Sequence, residues 1–366
     1  MSESASFVAA SHPSDAAAGS GGAAPGGTLE PPLAVPGERP SRLRLWWLAA
    51  RPKTLPAAVA PVLVGTAAGV AGRRAAPGMG VEGLGDAAGA AVAHGVGAAF
   101  GLASAIGSLR VLPFLAALAG ALLIQIATNF ANDYSDFHRG ADTHERLGPT
   151  RVTQAGLISP ADVRRAIIVT FALATLVGAY LVWVGGWPIV AIGVASIICA
   201  LAYTGGPWPY GYHGMGELFV FVFFGLVAVG GSAYLQTDTL SPLALVAAIP
   251  VGLLVTNILV VNNLRDLATD RAAHKRTLAV LMGERATRRQ YALLAVLAYL
   301  APVAMLLSGL AGAWVLLPLL TIPIAYRAVS AILGGLSGPA LNIMLAKSGK
   351  LQLLFGVLLA LGLLLG

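Results

Sequence analysis

Residues 112–136 read LPFLAALAGALLIQIATNFANDYSD, an apolar run without a charge that ends in Asn129, Asn132, Asp133 and Asp136. Such a run, read as a helix, crosses the roughly 30 Å of bilayer hydrocarbon and places its polar groups at one end only. Residues 243–270, LALVAAIPVGLLVTNILVVNNLRDLATD, repeat the arrangement 130 positions later and end in Asn262, Asp266 and Asp270. Both ends contain Asn-(Asn/Asp)-x-x-Asp. If the helices continue through these ends, Asn132 and Asp136 share one face a turn apart, and so do Asn262, Asp266 and Asp270.

Further apolar segments of similar length surround these two. We place nine spans, near 54–72, 112–132, 166–184, 187–204, 218–235, 243–262, 291–308, 314–333 and 348–366, which predicts an all-α, polytopic transmembrane bundle. Pro61, Pro250 and Pro323 fall within them, as membrane helices tolerate when neighbours re-satisfy the freed backbone groups. Composition agrees: of 366 residues 57% are hydrophobic and 11% charged, which a water-soluble domain cannot accommodate. The net charge of +7 forms no basic stripe interleaved with aromatics, so nucleic acid is not an expected partner and the lipid bilayer is. Cys199 is the single cysteine, in an apolar run, which excludes a disulfide framework and reads as a small buried hydrophobe.

Residues 1–40 are rich in Ala, Gly, Ser and Pro and cannot bury enough surface to fold, so a disordered tail is expected there. The transmembrane domain spans 45–366. Residues 73–111 contain an Ala/Gly-rich stretch poor in Leu, Ile and Val, and we read them as an extramembrane insertion. With the N-terminus cytoplasmic, Lys and Arg concentrate in the tail, the 2–3 and 6–7 loops and the 8–9 turn; only Arg73, Arg74 and Arg110 of the 23 fall outside. A tenth helix within 73–111 would destroy this asymmetry.

Both acidic ends then emerge on the cytoplasmic side. Opposed carboxylates and amides repel unless cations lie between them, and Mg²⁺ takes hard oxygen ligands while keeping substrate phosphate in its shell. Asp133, Asp136, Asp266 and Asp270, with Asn132 and Asn262, are the expected metal-binding and catalytic set, and the chelated ligand is a diphosphate. Arg139, Arg151, Lys275 and Arg276 are placed to neutralise the remaining phosphate charge. Any one such Asp is equally a solvated helix end; the doubled motif at the rim of apolar helices argues otherwise. A cation-coupled transporter is the competing class, but it calls for carboxylates near mid-helix, where the spans carry almost none.

At these residues the chain resembles the UbiA-type membrane prenyltransferase superfamily, whose signatures are Asn-Asp-x-x-Asp-x-x-x-Asp and a second Asp-x-x-x-Asp. Asn132, Asp133 and Asp136 match the first; position 140 is Gly, so the third carboxylate is displaced to Asp142. Asn262, Asp266 and Asp270 match the second. Within the superfamily the chain is most similar to the 1,4-dihydroxy-2-naphthoate polyprenyltransferases of menaquinone biosynthesis. Arg51–Pro56, NDYSDFHRGAD, the Gly148–Gly156 stretch, Tyr203–Pro207, NNLRDLATD and Lys275–Val280 carry that likeness, with His274 where the family more often has Gly. The resemblance implies a Mg²⁺-dependent enzyme in a bacterial cell membrane that joins a polyprenyl diphosphate to 1,4-dihydroxy-2-naphthoate and releases CO₂ and a proton.

Lys53 and Arg151 are candidates for phosphate or acceptor-carboxylate contacts, or equally for anchors at the membrane surface. Tyr203 and the Gly205-Gly206-Pro207 turn bind substrate or simply end a helix. Asn129 and Asn257 lie a turn or more inward and serve either substrate or interhelical hydrogen bonding. Trp46, Trp47, Trp183, Trp187 and Trp208, near helix ends, are explained by an interfacial belt.

Overall fold

The computed structural model describes residues 41–74, 103–104, 106–140, 148 and 151–366. The expected tail and most of the 73–111 insertion lie outside them. Twelve helices of the unit Arg42–Gly366 carry the argument: α1 (Arg42–Ala50), α2 (Pro56–Arg74), α3 (Val111–His138), α4 (Pro160–Gly185), α5 (Trp187–Ala202), α6 (Gly216–Thr237), α7 (Pro242–Arg265), α8 (Leu267–Ala272), α9 (Leu278–Met282), α10 (Glu284–Leu307), α11 (Ala313–Leu333) and α12 (Ala340–Leu365). No strand occurs among the described residues.

Eight of these, α2, α3, α4, α6, α7, α10, α11 and α12, are long and apolar enough to cross a membrane, and α5 is a shorter apolar helix of 16 residues. The helices overrun the hydropathy boundaries. α3 continues through His138 rather than stopping at 132, α10 starts at Glu284 rather than 291, and α12 starts at Ala340 rather than 348. Hydropathy marks where lipid contact ends, whereas the backbone ladder persists wherever polar side chains reach the interface. Starts are specified locally: the Ser159 and Ser241 hydroxyls accept from Asp162 N and Ala244 N, each with Pro at the first helical position.

α7 is the most enclosed span, with α2 and α12 beside it. Val64, Ala67, Ala68, Ala247, Ala248 and Phe355 of these three helices are fully or almost fully buried in one core cluster. α3, α4 and α5 lie at the periphery and present Leu112, Ile168, Leu176, Trp183 and Trp187 outward, as lipid-facing helices must. Small residues let α2 and α6 approach closely: Cβ atoms on Gly65 and Gly69 would fall 2.2 Å from Val229 O and 2.7 Å from Ala233 O. Gly65-Thr-Ala-Ala-Gly69 is thus a small-xxx-small packing seam. Gly65→Val is expected to destabilise the bundle by at least about 1–3 kcal/mol through overpacking against backbone, seen as loss of monodisperse protein after detergent extraction.

Candidate active site

α3 delivers its motif to a buried position. Asn129, Asn132, Asp133 and Asp136 are all less than a tenth exposed, although they lie near the end of a membrane helix. Each is held. Asp136 Oδ2 accepts from an Arg151 guanidinium nitrogen at 2.6 Å and Asp136 Oδ1 from the Tyr212 hydroxyl at 2.9 Å. Asp133 Oδ2 accepts from both the amide (3.1 Å) and hydroxyl (2.5 Å) of Thr153, while Arg151 Nε stands 3.9 Å from Asp133 Oδ1. Asn132 Oδ1 accepts from the Thr204 hydroxyl at 2.9 Å.

The second motif straddles a break. α7 ends at Arg265 and Asp266 sits at the junction with α8, yet Asp266 N still donates to Asn262 O (3.1 Å) and Asp270 N to Asp266 O (2.7 Å). The one-turn spacing therefore survives the interruption. Arg265 grips Asp266 through two bonds of 2.8 and 2.6 Å, and also donates to Asn262 Oδ1 (2.7 Å) and Asn342 Oδ1 (2.9 Å). Lys275 Nζ lies 3.6 Å from Asp270 Oδ1.

The two motifs are linked through intervening side chains. Lys275 also stands 5.2 Å from the Tyr212 ring centroid, and Tyr212 is bonded to Asp136, so an unbroken chain of contacts runs from Asp136 to Asp270.

The other expected residues fall as follows. Arg139 donates to Thr204 O (3.0 Å) and Gly206 O (2.5 Å), tying the loop after α3 to the turn after α5. Arg276 is exposed, and its backbone amide donates to Tyr212 O at 3.1 Å. Lys53 is exposed in the 3₁₀ turn Pro52–Thr54. Asn129 donates to Ala50 O and Thr54 Oγ1, and Asn257 to Tyr291 O, so both bond between helices. His274 has a left-handed backbone, φ 55°, a conformation that Gly adopts without strain.

Sequence reading did not single out Arg265, Tyr212, Thr153 or Thr204 as site residues. Arg265 lies inside the second motif, and Thr153 and Thr204 lie in the stretches that carry the family likeness, which was the available signal. Nothing in the spacing of Tyr212 marks it.

Among the described residues no group of three Asp, Glu, His or Cys side chains would by itself hold a metal. The carboxylates are instead balanced by Arg151, Arg265 and Lys275. The donor set nevertheless suits Mg²⁺: all donors are hard oxygens, and Asp133 Oδ1 is buried without a hydrogen bond. Arg151 Nε at 3.9 Å is too far to hydrogen-bond this oxygen, and a closer cation would offset its burial.

Beneath the motif lies a cavity of about 680 Å³ walled by α3, α4, α5 and α6. Gln125, Thr128, Asn129, Asn132 and Tyr203 border one end, and the rest is mostly apolar, down to Ala117, Leu181 and Leu235, with hydroxyls from Thr175, Ser196, Tyr210 and Ser232. No charged residue lines it.

The UbiA prenyltransferase family profile matches residues 94–334. The chain is 38% identical over 316 residues to a 1,4-dihydroxy-2-naphthoate octaprenyltransferase of Mycobacterium tuberculosis, covering 86% of this chain and 95% of that relative. It is 36% identical over 331 residues to the protein of the same name from Escherichia coli, covering 89% and 96%. A UbiA homologue from Aeropyrum pernix has the same fold, with a TM-score of 0.53 at 17% identity over 73% of this chain and 94% of its own. A UbiA homologue from Archaeoglobus fulgidus solved with GPP and Mg²⁺ gives a TM-score of 0.50 at 13% identity, covering 86% and 99%. With the helical bundle, the paired acidic ends and this breadth of likeness in agreement, the chain belongs to the UbiA prenyltransferase family and is a multi-pass membrane protein.

Proposed function

We propose that this protein transfers a polyprenyl group from polyprenyl diphosphate to 1,4-dihydroxy-2-naphthoate with loss of CO₂, forming the hydroquinone of demethylmenaquinone in a bacterial cell membrane, its N-terminus and both acidic motifs cytoplasmic. The observation that carries this reading is the uncharged, largely apolar cavity bordered at one end by Asn132, the residue of the α3 motif next to Asp133. A head group at the aspartates and a hydrocarbon tail in the cavity is the shape of a prenyl diphosphate. The named relatives supply the acceptor. The same cavity speaks against cation-coupled transport, which needs ionisable groups along the path.

Asp133, Asp136, Asp266 and Asp270 would hold Mg²⁺, with Asn132 and Asn262 beside them. When bound, Mg²⁺ supplies the positive charge that stabilises diphosphate as a leaving group. Arg139 and Lys275 stand at the same entrance and offset the remaining phosphate charge. As the allylic C–O bond breaks, the electron pair leaves with diphosphate and the prenyl carbon becomes an allylic cation. The apolar walls of α3 to α6 exclude the water that would quench it. The electron-rich naphthoate ring then forms the new C–C bond at the carboxyl-bearing carbon, and loss of the carboxylate as CO₂ returns its electron pair to the ring and restores the hydroquinone.

A donor and acceptor panel in detergent tests this. Dihydroxynaphthoate is expected to be prenylated at least about a hundredfold faster than 4-hydroxybenzoate, homogentisate or haem, and EDTA is expected to stop the reaction. Preference for another acceptor contradicts the menaquinone assignment; transfer undiminished in EDTA contradicts the metal.

A further inference from the structure

Tyr212 lies in the 3₁₀ turn Tyr210–His213 between α5 and α6, outside both acidic motifs. Its position is nevertheless central. The hydroxyl donates to Asp136 Oδ1 at 2.9 Å, leaving Oδ2 to Arg151. Its ring has a cation from each wall within cation–π range: Arg139 Cζ at 5.6 Å and Lys275 Nζ at 5.2 Å from the centroid. Its carbonyl accepts from Arg276 N at 3.1 Å. One side chain therefore touches the end of α3, the loop that follows it and the loop after α8.

We infer that Tyr212 is the positioning residue that registers the first acidic motif against the second. The phenol fixes the rotamer of Asp136, and the ring keeps Arg139 and Lys275 turned toward one space, so that a diphosphate meets both walls at once. This rests on the diphosphate reading above. A tyrosine that merely packed three loops together would affect the melting temperature of the ligand-free protein and nothing more. A positioning tyrosine changes how strongly the site takes the head group.

The test uses the full-length protein in detergent with Mg²⁺ and inorganic pyrophosphate as the probe. Readouts are the ligand-induced rise in thermal midpoint and, separately, steady-state transfer. Tyr212→Phe keeps the ring and loses the bond to a charged acceptor. The pyrophosphate concentration giving half the full rise is expected to increase about tenfold, with kcat falling by a similar factor and acceptor KM unchanged. Tyr212→Leu loses ring and hydroxyl together, and about a hundredfold is expected. Should Tyr212→Leu not fold, Tyr212→Phe decides alone. Tyr212→Phe with wild-type pyrophosphate response and kcat overturns the assignment, as do donor and acceptor KM values rising together. If wild type responds to Mg²⁺ and pyrophosphate but the variant matches it, only the role of Tyr212 falls. If wild type neither responds nor transfers, the diphosphate reading falls and takes this inference with it.

Discussion

Asp136→Asn is expected to lower prenyl transfer by about a thousandfold while the protein stays inserted and extractable. Asp136 is 2% exposed and each of its carboxylate oxygens has a partner, Arg151 on one and Tyr212 on the other. An amide keeps the shape and one acceptor oxygen, and Asp133 Oδ1 still faces Arg151 at 3.9 Å, so the fold survives at some cost in stability, but the change removes the negative charge that a divalent ion needs. Asp266→Asn acts through the same loss on the opposite wall, where Arg265 holds both carboxylate oxygens. Steady-state transfer in detergent, alongside size-exclusion profiles of wild type and variants, reads the two effects separately. Wild-type turnover in either variant removes the site assignment.

Arg151→Ala is expected to be the most destabilising single change near the site, and in a metal-dependent way. Arg151 is 7% exposed and its guanidinium lies between Asp136 Oδ2 at 2.6 Å and Asp133 Oδ1 at 3.9 Å. Removing one partner of a buried ion pair leaves uncompensated charge and costs about 3–5 kcal/mol. Here the abandoned carboxylates are those expected to bind metal, so Mg²⁺ replaces the missing cation. The thermal midpoint of Arg151→Ala is therefore expected to fall steeply in EDTA and to recover in millimolar Mg²⁺ by most of that fall. An equal loss in both conditions means that Asp133 and Asp136 do not take a divalent ion.

Much of this architecture is legible in the sequence because a bilayer imposes a simple rule. Every backbone polar group must be satisfied within the helix, so spans announce themselves as long apolar runs. The one-turn spacings Asn132–Asp136 and Asn262–Asp266–Asp270 are legible for the same reason, since helical period is local. What partners those carboxylates is not. Arg151 reaches Asp136 from 15 positions further along the chain, and Arg265 bonds to the residue beside it through a bend at Asp266 that no periodicity forecasts. Arg151 and Lys53 look alike as basic residues flanking a motif, yet one is buried on two aspartates and the other is exposed. The approach of α2 to α6 at Gly65 and Gly69 is written in the sequence as a small-residue repeat, but its partner helix is set only by three-dimensional packing. Tyr212 is the extreme case. Its importance comes from three loops converging, and sequence spacing carries no trace of that.

The central claim is that two acidic walls, from α3 and from the α7–α8 junction, share divalent metal with one diphosphate. Crystals grown with Mn²⁺ and an unreactive prenyl thiodiphosphate test it most directly through the anomalous signal of the metal. The account predicts Mn²⁺ between Asp133 or Asp136 on one side and Asp266 or Asp270 on the other, with the diphosphate completing the shell and the isoprenoid chain descending between α3 and α6. Metal and diphosphate bound elsewhere, with Asp136 still on Arg151 and Asp266 still on Arg265, would contradict it.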